Sequence, residues 1–241
     1  KPDNNQPGGI VLVSSYDPSS GVVHATAHLK GVFVADNHGW QGGIISSLGK
    51  HLILDGPDAA NLTGQWFTDC CPELIIEKST ISGNSNTGTD VLEGGGISTQ
   101  GNTIIVDSQI VGNASEKSGG GIHIVNGDVL IRQTLISGNT ARDGGGVAVR
   151  PRASTVISQT TIENNVASRR GGGLTLNSCH PHCDNTTSEE NYGIRMNLKD
   201  STVVRNRAEG AGGGIFSGGW HYYNPEGHAV SFFEIINSTI H

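Results

Sequence analysis

Short stretches of this 241-residue chain alternate apolar and polar residues with a period of two, and the stretches recur in one register. An aliphatic residue stands three positions before an Asn in Ile81/Asn84, Ile110/Asn113, Ile136/Asn139, Ile162/Asn165 and Val203/Asn206. With that Asn as position zero, position −8 reads Ile76, Ile105, Ile131, Ile157 and Leu198. Position −10 reads Leu74, Thr103, Val129, Thr155 and Met196, and Phe233 and Ile235 continue the two columns. Position −5 is always Ser or Thr (Ser79, Ser108, Thr134, Thr160, Ser201), whereas position −7 is mostly polar (Glu77, Val106, Arg132, Ser158, Lys199). Residues two apart share one face of a strand, so each repeat predicts short strands with one buried face.

Glycine triplets form a second signature. They begin at Gly94, Gly119, Gly144, Gly171 and Gly212, 25, 25, 27 and 41 residues apart, and each runs into an aliphatic residue. The repeat is therefore about 25 residues long with one insertion. Period-two alternation inside it excludes helical repeats, and predicts about three short strands per repeat joined by turns. Stacking like on like gives parallel sheets that climb about 4.8 Å per turn, with room for about nine or ten coils. The predicted fold is all-β, a solenoid that is regular over 74–241, with a loop insertion at 177–192. Residues 1–73 form irregular coils with insertions, in which Val34, Asn37 and Gly42-Gly43-Ile44 are a degenerate copy and Leu52–Gly56 a further strand and turn.

The paired signatures Gly-Gly-x-Ile and aliphatic-x-x-Asn resemble the repeats of the chlamydial polymorphic outer-membrane proteins, written Gly-Gly-Ala-Ile and Phe-x-x-Asn. Here Gly replaces the Ala, and Ile or Val the Phe. The chain is also similar to the wider group of right-handed parallel β-helix repeat proteins. The resemblance implies a right-handed coil and an extracellular, adhesive surface role. Other proteins of that architecture are polysaccharide lyases, hydrolases and epimerases, and fold alone does not choose between the two.

Composition bears on the choice. Gly, at 36 residues, suits a chain that turns often, and aromatics at 5% leave little for one thick core. A net charge of −7 without a Lys/Arg cluster argues against nucleic acid, and no apolar run is long enough to span a bilayer. Four Cys and four sequons (Asn61, Asn113, Asn185, Asn237) favour a secreted or cell-surface glycoprotein. Asn113 belongs to both a sequon and the repeated Asn column, so burial of its amide would bar a glycan there. Asn237, at position −6, is expected to face solvent.

The glycines run into Ile-His-Ile, Val-Ala-Val and Leu-Thr-Leu, which are strands, so they are corners and not a phosphate cradle. In the inserted loop, Cys179-His-Pro-His-Cys183 spans too few residues to fold four zinc ligands inward. Disulfides are expected instead, either locally between Cys179 and Cys183 or from both to Cys70 and Cys71. No cofactor or metal is implied. A solenoid enzyme would converge carboxylates, or a base with acidic or metal-binding groups, on outward positions. The best such cluster is His123, Arg150 and Arg152 with Asp128, and a solvated surface accounts for it equally well. Trp220, His221, Tyr222 and Tyr223 form a candidate contact surface for a glycan or a partner. The chain stops two residues before the next Asn corner is due, which predicts a longer chain or an assembly through open coil ends. The expected function is an extracellular structural or adhesive module, with a polysaccharide-active enzyme as the alternative.

Overall fold

The computed structural model describes residues 10–13, 26–39, 43–47, 73–87, 93–151, 153–176, 194–218 and 232–241. Every regular element among them is a strand, and every pairing is parallel. A rung begins at Thr103–Val106, turns into Gln109–Val111, turns again into Ala114–Ser115, and enters the 11-residue strand Ile122–Arg132, whose second half starts the next rung. Rungs pair like with like: Ile105 lies beside Ile76 and Ile131, and Ile110 beside Ile81 and Ile136.

Three sheets result, of 13, seven and six strands. The largest forms two walls joined through Ile122–Arg132. Wall A carries the strands that follow the glycines, among them Ile97–Gln100, Val147–Val149 and Leu174–Leu176. Wall B carries positions −10 to −7, among them Glu73–Glu77, Thr103–Val106 and Ala153–Ser158. Wall C carries position −3, and wall D the short strands after the Asn corner. Each rung thus has four walls where about three strands were expected. The seven-stranded wall C counts seven rungs among the described residues, not nine or ten. The strands that flank Ser47 to Glu73, Leu176 to Ile194 and Ser217 to Phe232 belong in each case to walls A and B of consecutive rungs.

The interior is a set of one-residue columns. Ile76, Ile105, Ile131, Ile157 and Leu198 are wholly buried, as are Ile81, Ile110, Ile136, Ile162 and Val203. Polar columns are equally regular. Asn139 Oδ1 accepts hydrogen bonds from both the main-chain N–H (2.9 Å) and the Nδ2 (3.0 Å) of Asn113. Asn139 Nδ2 donates to Ile110 O (2.9 Å) and to Asn165 Oδ1 (3.0 Å). The ladder runs Asn37, Asn84, Asn113, Asn139, Asn165, Asn206. Position −5 forms a second ladder: the Ser108 hydroxyl donates to Val106 O (2.7 Å) and accepts the Ser79 N–H from the preceding rung (3.1 Å). Buried main-chain groups are costly unless paired, and these side chains pair them at corners where no strand does.

The corner between walls B and C takes a left-handed residue at −6 in every rung: Gly31, Lys78, Asp107, Gln133, Gln159, Asp200 and Asn237, with φ between 47° and 61°. In four of the five glycine triplets the first member alone has positive φ, as at Gly119 (66°) and Gly144 (63°), and in the triplet that begins at Gly94 none has. The others serve close approach. A Cβ on Gly120 would lie 2.3 Å from Thr140 O and 2.5 Å from Gly145 O, both main-chain atoms of the next rung.

Candidate functional site

The first glycine of each triplet folds against the outer face of wall A. A Cβ on Gly119 would lie 2.8 Å from His123 Cα, and one on Gly144 2.9 Å from Ala148 Cβ. Ser98, His123, Ala148 and Thr175 occupy alternate positions that the period-two pattern turns outward, yet all four are buried, His123 completely. Phe216, which follows Thr175 in this column, is partly exposed; the Arg170 guanidinium sits 5.0 Å from its ring centroid.

A polar cluster is built on this covered face. Glu93, the residue before the first triplet, is 4% exposed. Its main-chain N–H donates to His123 Nδ1 (3.1 Å), and its carbonyl accepts the Ser115 hydroxyl. Its carboxylate takes Arg150 Nη2 at 3.1 Å, with Lys117 Nζ at 3.9 Å. One side chain therefore ties together three successive rungs. Because Nδ1 accepts, neutral His123 carries its proton on Nε2, and that atom has no hydrogen-bond partner; Ser98 Oγ and Arg150 Nε also lack one. Burial first, and the Arg150 charge second, hold the His123 imidazole well below the usual histidine range. Two rungs on, Asp143 occupies the equivalent place before its triplet and is paired through both carboxylate oxygens with Arg169, Nε to Oδ1 at 2.9 Å.

The outer face of wall B differs. Ile75, Ile104, Leu130 and Val156 stand in register, one per rung, and form a half-exposed aliphatic ribbon. Asn197 and Glu234 continue it. At that end Ser154, Val156, Arg195, Asn197 and Phe232 line a groove of about 550 Å³, on which Phe232 is 53% exposed and the buried Asn197 Oδ1 has no partner.

The family model for the right-handed β-helix region matches residues 75–230, about two-thirds of the chain. The chain belongs to the right-handed β-helix family. No curated protein and no solved structure matches it. Among the described residues of this β-helix no helix is long and apolar enough to cross a membrane, and no three His, Cys, Asp or Glu side chains group to hold a metal.

The β-helix redraws the cluster expected at His123. Arg150 is there, but the acid is Glu93, not Asp128, which is exposed on the wall B part of its strand and accepts no described cation. Nor is the cluster a solvated surface, because the glycine turns lie over it. Arg152 lies outside the described residues, as do Cys70, Cys71, Cys179, Cys183, Asn61, Asn185, Trp220, His221, Tyr222 and Tyr223, and the strand and turn expected at Leu52–Gly56. Asn237 is exposed at its left-handed corner. Asn113 is wholly buried, and its Nδ2 donates to Ile81 O and Asn139 Oδ1 at 3.0 Å each, so a folded rung has no place for a glycan on it. Sequence reasoning missed Glu93 and Asp143. Their signal was an acid directly before a glycine triplet, a position with no reason to look buried until the turn is seen lying on the sheet.

Proposed function

We propose that this β-helix is an extracellular structural or adhesive surface module. The observation that carries the reading is the aliphatic ribbon Ile75, Ile104, Leu130 and Val156, held in register at one residue per rung on the outer face of wall B. Contiguous apolar surface of this kind marks contact with another macromolecule. By contrast, the charged cluster at Glu93, His123 and Arg150 faces away from solvent and braces rungs. The exposed sequon at Asn237 supports a secretory route.

Beads coated with the chain are expected to clump, and the outward double variant L130K/V156K to reduce the clumping without changing the unfolding midpoint. Equal clumping by wild type and variant would remove the ribbon as the contact surface.

A polysaccharide-active enzyme is the second reading, favoured by the groove at Arg195, Asn197 and Phe232, which pairs a cation and an amide with a ring. Incubation with polygalacturonate and alginate, followed by absorbance of unsaturated products and by new reducing ends, separates the two. The structural reading expects neither signal, and clear turnover would overturn it.

A further inference from the structure

The Glu93 N–H docks on the sheet through one ring nitrogen of His123, and that nitrogen is the site a proton would take, whereas Gly95 and Gly96 are held by main-chain hydrogen bonds to Gly119 O and Gly120 O. His123 is wholly buried between Ser98 and Ala148 of the neighbouring rungs. Neither neighbour is charged. The charged groups that face the imidazole are Arg150, at the end of the adjoining wall A strand, and Glu93, from the turn above it; Lys117 Nζ lies 3.9 Å from the Glu93 carboxylate oxygen that Arg150 takes. Since Nε2 already bears a hydrogen, protonation can occur only at Nδ1. A proton there ends the hydrogen bond from Glu93 N–H and sets two N–H donors against each other across that contact. It also places a second positive charge beside Arg150 in a site that water does not reach.

We propose that Glu93 and His123 form an acid-labile latch: neutral His123 holds Glu93, at the entry to the first glycine triplet, against wall A, and a proton on Nδ1 releases it. Released, Glu93 uncovers the ring of His123 and frees Arg150 from its carboxylate. The proposal goes beyond the surface role above and does not depend on it.

The sign follows from where the proton binds. The open turn lets His123 titrate as an ordinary imidazole, and the closed turn keeps it neutral to lower pH. The latch is therefore at full strength above the ordinary histidine value of about 6.5 and is lost as pH falls below it. Between that value and the depressed one of the closed state, the opening equilibrium rises by up to about tenfold per pH unit.

Hydrogen exchange of the Glu93 amide on the intact chain, corrected for the intrinsic pH dependence of exchange, reads this directly. Wild type is expected to lose protection with that slope below pH 6.5. H123Q, which offers Glu93 N–H an acceptor that does not titrate, is expected to show a flat profile. A titration of the His123 ring by NMR at an ordinary value in the folded chain would overturn the proposal without need of a variant. So would an equal loss of protection in H123Q.

Discussion

Asn139 makes plain what one side chain per rung contributes. Its Oδ1 closes the main chain and amide of Asn113, and its Nδ2 closes Ile110 O, all in a wholly buried corner. Asn139→Ala leaves the Asn113 donors unsatisfied, and should destabilise by about 2 kcal/mol or more by denaturant unfolding. Gln109→Ala, at an exposed position one wall away, should change stability by less than about 0.5 kcal/mol. The same burial governs glycosylation. In a secreted chain, peptide mass spectrometry should find Asn237 modified and Asn113 bare, and a glycan on Asn113 in folded protein would contradict the ladder. The Asn ladder was legible because it repeats in one register. His123 was not: its alternation marks it as outward, and only the glycine turn folded over wall A makes it buried.

At the level of elements, the glycines of one repeat do two jobs, and substitution separates them. Gly112 has φ 64° with nothing near its missing Cβ, and the same corner in other rungs takes Asp36, Asn164 or Arg205. Gly112→Ala should therefore cost only about 1 kcal/mol of left-handed strain. Gly120 has ordinary φ but no space, so Gly120→Ala must push two rungs apart and should cost about 3 kcal/mol or more. Thermal or denaturant unfolding of the two variants checks the order, which reverses if the triplets serve conformation alone. The sequence pointed to corners without separating the glycines that turn from those that admit a neighbouring rung, because φ and inter-rung distance are properties of the stacked state. Strand columns were easier: Ile76 to Leu198 and Ile81 to Val203 pair as their spacing indicates. The fourth wall was missed because Ala114–Ser115 and Arg207–Ala208 are two-residue strands, too short to show alternation.

On the scale of the whole molecule, the rod is a linear sum of rungs in which each contacts its neighbours, so local defects should stay local. The described residues hold fewer rungs than the nine or ten that the spacing suggests, because residues per rung are constant only where no insertion intervenes, as between Gly94 and Gly171. The central claim is the register itself, since the ladder, the ribbon and the latch all depend on it. Phe33, Gln109, Thr161 and Thr239 occupy one outward column of wall C at rungs one, three, five and seven. Nitroxides attached through unnatural amino acids, which leave the native cysteines untouched, can be placed at Phe33 and at each of the other three in turn. Pulsed electron paramagnetic resonance should then give separations that grow linearly, by about 4.8 Å per rung, to about 29 Å for Phe33 to Thr239. Separations that fail to increase in that order, or that depart from a constant step, would contradict the stacked register.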